Sequence, residues 1–300
     1  MARIDEYRVE ITDEQITDLR ERLARTRWPE GETVDDWSQG IPLDYTRELA
    51  EYWAGGYDMQ RLAARLNAFP QFKAVLGGEG DGLGIHFLHV RSPHADARPV
   101  IMTHGWPGSV VEFLNVIGPL TDPEAHGGSA RDAVHLVVPS LPGYGFSDKP
   151  AKPGTGVRRI GELWHELMGA LGYPRYYAQG GDWGGLVTAT MAEQAPEGLL
   201  GVHLNIAFVS PEALLELGDP TPEEQAMLAR AQRYFTDEHG YSTQQSTRPQ
   251  TVGYPLADSP AGQLAWIVEK FHAWTDRGAG GGPPENAVPR DELLDNVMAY

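Results

Sequence analysis

The segment Gly180-Gly181-Asp182-Trp183-Gly184 places one ionisable side chain among glycines at a spacing that suits covalent catalysis. Tyr176-Tyr177-Ala178 before it reads as a strand, and the Ala-rich run reaching Gln194 reads as a helix. Asp182 is therefore expected at a sharp strand-to-helix bend. Such a bend strains the central backbone and crowds its neighbours against adjacent chain, and glycine two residues before and two after relieves that crowding. A serine held there attacks carbonyls. A carboxylate is poor at that attack, but it can displace a leaving group at saturated carbon. The product would be an alkyl ester on Asp182, which water then cleaves at the carboxyl carbon. The competing role for an aspartate at this position is an ordinary helix N-cap.

Cleavage of such an ester calls for an oxyanion hole and a base that activates water. The backbone N–H of Trp183, at the start of the helix, is one natural donor. The second should come from the loop after an earlier strand. His104-Gly105-Trp106-Pro107-Gly108-Ser109 follows the short apolar run Val100 to Thr103, which makes the Trp106 N–H the candidate. The indoles of Trp106 and Trp183 would also wall a pocket, or else simply fill core. His104 is expected to order the loop rather than serve as the base.

These loops need a frame, and the rest of the chain supplies its outline. Residues 1–70 read as helices: Thr12-Asp13-Glu14-Gln15 is a capping box, followed by Ile16, Leu19 and Leu23 at helical spacing. Phe72 to Leu76 and Gly84 to Val90 read as a hairpin around the Gly-rich turn at 77–82. That turn carries two acidic residues and no following helix, unlike a phosphate-binding loop. Strands and helices then alternate to residue 208, which implies an α/β fold whose mostly parallel sheet has helices on both faces. The expected organisation is an N-terminal helical extension (1–70), the first part of the α/β core (71–208) and a helical cap (209–300).

Composition narrows the partners. With 24 basic and 42 acidic residues the net charge is −18, which disfavours nucleic acid and anionic membrane surfaces. The absence of cysteine removes disulfides and thiolate chemistry. The charged N-terminus and the lack of a long apolar run point to a cytoplasmic protein.

Arg27-Trp28-Pro29, the His104 to Ser109 loop, the Gly180 to Gly184 bend and Asp258-Ser259-Pro260 stand in an order that resembles the epoxide hydrolases of the α/β-hydrolase superfamily. The match is to the microsomal-type branch, which has an N-terminal helical extension. The resemblance implies hydrolysis of a small-molecule epoxide to a vicinal diol by water, with Asp182 as nucleophile and neither metal nor organic cofactor. It also implies a cap tyrosine that assists the epoxide oxygen. Glu238-His239-Gly240-Tyr241 matches that position, so Tyr241 inherits the role; Tyr234 and Tyr254 are weaker claimants. A second tyrosine, an acid and the water-activating histidine are expected beyond Tyr300, so residues 1–300 read as part of a longer enzyme. A sheet lacking its later strands would leave an exposed edge, which leaves homo-oligomerisation open. The rival readings are a haloalkane or haloacid dehalogenase built on the same aspartate and a non-catalytic small-molecule binder.

Overall fold

The computed structural model describes residues 2–78, 82–206, 220–279 and 281–300. Parts of two expected features lie outside these residues: the tip of the 77–82 turn, and the stretch from 207 to 219 where the core gives way to the cap. The chain divides into two compact units. One comprises residues 1–11, 59–207 and 298–300, and the other residues 12–58 and 208–297.

The first unit is built on a seven-stranded sheet: β1 (Arg3–Glu6), β2 (Gln71–Leu76), β3 (Leu83–Val90), β4 (Arg98–Thr103), β5 (Val134–Pro139), β6 (Tyr176–Gly180) and β7 (Leu199–Leu204), in the order β1-β2-β3-β5-β4-β6-β7. The first three strands form an antiparallel meander and β3 joins β5 antiparallel; β5, β4, β6 and β7 are mutually parallel. Five of the seven strands thus run in one direction. β1 departs from the all-helical reading of the first seventy residues. Its side chains are mostly exposed, so no apolar alternation marks it, and it is held by ladder pairing of Arg3 to Glu6 with Val75 to Phe72.

Period-two alternation sends the strand residues into two cores. Ile85, Phe87, Ile101 and Val137 pack on one face with Leu163, Trp164, Leu167, Val187 and Met191, which belong to the helices α5 (Val157–Ala170) and α6 (Trp183–Gln194). Leu88, Leu136 and Val138 pack on the other face with Leu62 and Leu66 of α3 (Arg61–Leu66) and Leu114 and Ile117 of α4 (Leu114–Thr121).

The second unit is helical. α1 (Asp13–Ala24) starts at Thr12, whose hydroxyl accepts the Gln15 N–H while the Gln15 side chain accepts the Thr12 N–H, the reciprocal bonds expected of the capping box. α2 (Leu43–Gly55) packs against α1 and against the helix Pro260–Trp274. The helices that close the unit are α7 (Pro222–Arg233), α8 (Gly240–Thr247), α9 (Pro249–Asp258), α10 (Pro260–Trp274) and α11 (Arg290–Met298), with a π-helical turn at Tyr234–Glu238. Tyr45, Tyr52 and Tyr57 donate to Glu285, Asp291 and Asp295 at 2.8, 2.7 and 2.6 Å, knitting the segment around α2 to the segment around α11. No helix among the described residues is long and apolar enough to cross a membrane.

Candidate active site

β4 lies between β5 and β6, so the chain leaves it on one side and returns on the other. In α/β sheets ligands bind beyond the carboxyl ends of strands at such a reversal. Thr103 at the end of β4 pairs with Gly180 at the end of β6, and the two following loops therefore emerge side by side. The Trp164 indole N–H donates to Thr103 Oγ1 at 3.0 Å and fixes that strand end from α5.

The bend at the end of β6 is strained as expected: Asp182 has φ 52° and ψ −126° and is followed directly by α6. The flanking glycines are sterically required. A Cβ on Gly180 would run into the Gly184 carbonyl, and one on Gly184 into the Thr103 carbonyl. Asp182 occupies the N-cap position of α6, but its side chain makes no capping bond there. It turns instead to the β4 loop, where Oδ1 accepts the Trp106 N–H at 2.8 Å. Burial pushes the Asp182 pKa up, while the backbone N–H groups of Trp106 and Trp183 pull it down. A half-buried carboxylate held by two amides can attack an electrophilic carbon with one oxygen. The other oxygen would then already sit where an oxyanion would form.

The loop that brings Trp106 is itself ordered. His104 is buried; its Nε2 accepts the Leu141 N–H at 3.0 Å and its Nδ1 lies 3.0 Å from the Gly105 carbonyl oxygen. Burial lowers the His104 pKa to about 4, so the ring is neutral. Trp106 is 9% exposed and Trp183 48% exposed, so the first indole is packed while the second stands open.

Three groups that sequence reasoning passed over join Asp182 in this unit. Glu112 follows the loop on a 3-10 turn (Val110–Phe113), and its carboxyl accepts the Gly105 N–H. Burial, and then the charge of Asp182, raise its pKa to about 8. Tyr144 packs edge-on against His104 with ring centroids 5.4 Å apart, and burial followed by the Asp182 charge raises its phenol pKa. Tyr300 remains 41% exposed overall, yet its hydroxyl donates to the Gly108 carbonyl at 2.8 Å. Burial, with Tyr144, Glu112 and Asp182 nearby, raises the Tyr300 phenol pKa well above its ordinary value. The sequence reading looks for its second tyrosine beyond residue 300 and gives Tyr300 itself no role. The signal for Glu112 was an acid four residues past the His-Gly-Trp-Pro-Gly segment.

Tyr241 lies in the second unit, on α8. Its hydroxyl is 3.1 Å from that of Tyr234, and the Lys270 ammonium sits 4.8 Å from its ring centroid. Tyr254 is 69% exposed. Among the described residues no cluster of three or more His, Asp or Glu side chains is arranged to hold a metal ion.

Comparison with known proteins places the chain in a family. Residues 4–113 match the family profile described as "Epoxide hydrolase N terminus", and residues 98–249 match the "alpha/beta hydrolase fold". A protein of Stigmatella aurantiaca named as an epoxide hydrolase is 54% identical over 297 residues, covering 99% of this chain and 66% of its own length. "Epoxide hydrolase 1" of Sus scrofa is 36% identical, with 98% of this chain and 68% of its own length covered. The crystal structure of juvenile hormone epoxide hydrolase from the silkworm Bombyx mori superposes with a TM-score of 0.88 at 33% identity, covering 100% of this chain and 74% of that one. The chain spans about two thirds of the length of the curated relatives it matches. On the fold, the loop pair at the ends of β4 and β6 and these similarities, the chain belongs to the epoxide hydrolase family of the α/β-hydrolase fold.

Proposed function

We propose that this chain opens an epoxide ring by attack of Asp182 and carries the substrate towards a vicinal diol. The observation that carries the reading is the carboxylate of Asp182, held at the strand-to-helix bend by the Trp106 N–H on Oδ1 and by the N–H of Trp183. Oδ2 forms a bond to a ring carbon, and the carbon–oxygen bond of the ring breaks with its electron pair going to oxygen. A phenol then gives that oxygen a hydrogen bond or a proton, a task that an acid of ordinary pKa about 10 performs without being ionised at neutral pH. Tyr241 is assigned to this on its match to the family, and Tyr300 is a second phenol close to Asp182. In the next step water adds to the ester carbonyl carbon, and the charge that develops on Oδ1 is received by the N–H groups of Trp106 and Trp183. Collapse releases the diol and returns Asp182 with one oxygen from water. That step needs a base. In the sheet unit both ring nitrogens of His86 and of His104 are hydrogen-bonded within the fold, so neither is assigned to it.

The names of the relatives favour an epoxide over a haloalkane as electrophile. The test is intact-protein mass after incubation with styrene oxide, with diol and halide assays run in parallel on an epoxide and a chloroalkane. An adduct, or diol formation, that Asp182→Asn abolishes supports the reading. Halide release that survives Tyr241→Phe points to the dehalogenase, and undiminished styrene oxide binding with no adduct points to a non-catalytic binder.

A further inference from the structure

The segment from His104 to Gly108 is held along its length. The His104 ring bonds the Leu141 N–H, the Gly105 N–H goes to Glu112, the Trp106 N–H to Asp182, and the Gly108 carbonyl takes the Tyr300 hydroxyl. Two of its glycines show how closely the carboxyl groups approach. A Cβ on Gly105 would overlap Asp182, and a Cβ on Gly108 would overlap the carboxyl of Glu112. Successive N–H groups of one short backbone segment are thus shared between two carboxyl groups, and the reaction proposed above uses only one of them.

We propose that Glu112 is a positioning residue for the chemistry at Asp182: by accepting the Gly105 N–H, its carboxyl fixes the peptide that presents the Trp106 N–H to the reacting carboxylate. The inference rests on the reading of Asp182 as the point of covalent attack. Its working form is the neutral acid, which bonds the amide through its carbonyl oxygen and does not set a second anion beside Asp182. Burial and the Asp182 charge keep that proton on up to about pH 8. The other titratable groups facing this corner are Asp182, Tyr144, Tyr300 and His104. Both phenols are pushed above their usual range and His104 is lowered to about 4, which leaves Glu112 as the group placed to titrate near pH 8.

The experiment follows the rate at which Asp182 gains mass from styrene oxide in wild type, Glu112→Ala and Glu112→Gln. Circular dichroism verifies the fold, and hydrogen–deuterium exchange is followed in the peptide spanning residues 104–109. Loss of the acceptor in Glu112→Ala should slow ester formation about tenfold or more and speed exchange in the loop. Glutamine keeps a carbonyl acceptor of the same reach and should restore most of the rate. Between about pH 7 and 9.5 the wild-type rate should fall about threefold as the second anion appears, while Glu112→Gln stays flat. A rate indifferent to Glu112→Ala, a glutamine variant as impaired as the alanine one, or a pH step that persists in Glu112→Gln would each overturn the inference alone. Absence of both an Asp182 adduct and diol formation in the wild type sinks the parent reading and this one with it.

Discussion

Gly105 and Asp182 occupy adjoining space so closely that a Cβ on the glycine would fall on Oδ1 and Cβ of the aspartate. The next residue, Trp106, donates its N–H to that same Oδ1 at 2.8 Å. The β4 loop therefore offers Asp182 backbone rather than side chain. Gly105 does not adopt a left-handed conformation; what matters there is the absence of a side chain.

Gly105→Ala should separate chemistry from folding. The added methyl must push the loop or the carboxylate aside, and a displacement near 1 Å at a reacting group costs about a hundredfold in rate. Overpacking of this kind costs about 1–3 kcal/mol of stability. Adduct formation on Asp182, measured by mass, should fall by about two orders of magnitude in a variant whose far-ultraviolet spectrum is native. Adduct formation within threefold of wild type would show that the loop has slack there.

Asp182 itself should be a stability liability. Its φ of 52° with ψ −126° is a conformation that costs a non-glycine residue about 1–3 kcal/mol. Glycine escapes that cost but loses about 0.5–1 kcal/mol more to chain entropy on folding. The inactive variant Asp182→Gly should then be more stable than the wild type by about 1 kcal/mol, seen as a higher urea midpoint at unchanged m-value. A lower midpoint would mean that the amide bonds to the carboxylate outweigh the strain.

What the sequence made legible is what short-range physics dictates. The Asp182 bend could be read because glycine is demanded within two residues on each side, and the start of α1 because Thr12 and Gln15 satisfy each other's backbone. The remainder depends on distant chain. β1 has an ordinary polar sequence, Arg-Ile-Asp-Glu, and becomes a strand only because β2 offers it an edge. Glu112 looks like a surface acid until Asp182 is folded beside it. The place of Tyr300 is set by Gly108 and by Tyr144, whose ring centroid is 5.8 Å from its own, and no local pattern announces either contact. The π-helical turn at Tyr234–Glu238 is likewise invisible in side-chain periodicity.

Stability should peak near pH 6.5. Burial depresses His86 to about 3 and His89 and His104 to about 4, from 6.5. The unfolded chain therefore takes up protons that the folded chain refuses, and stability is lost as pH falls below about 6.5. Glu112 acts with the opposite sign. Its folded pKa of about 8, against 4.5, means the folded state keeps a proton the unfolded state releases, so stability also declines as pH rises towards about 8. Three histidines outweigh one carboxyl on the acid side, and above pH 6.5 the carboxyl acts without them. Urea midpoints from pH 4.5 to 8.5 should trace this dome. Glu112→Gln should flatten the alkaline side and steepen the acid side, where the carboxyl no longer opposes the histidines; a wild-type midpoint still climbing at pH 8 would contradict the assignment.

The three tyrosine–carboxyl bonds of the helical unit should differ in strength according to how far water is excluded from them. Tyr57 is 3% exposed and Asp295 is fully buried, and their oxygens stand 2.6 Å apart. Tyr45 and Glu285 make a 2.8 Å bond in a half-buried setting where water can replace a lost partner. Removing a donor from a buried carboxyl costs about 1.5–3 kcal/mol, whereas the same deletion near solvent costs about 1 kcal/mol or less. Tyr57→Phe should therefore lower the urea unfolding free energy at least twice as much as Tyr45→Phe. Phenylalanine keeps the ring packing in both, so the comparison isolates the hydroxyl. Equal losses would show that burial of Asp295 is not what gives its bond to Tyr57 its weight.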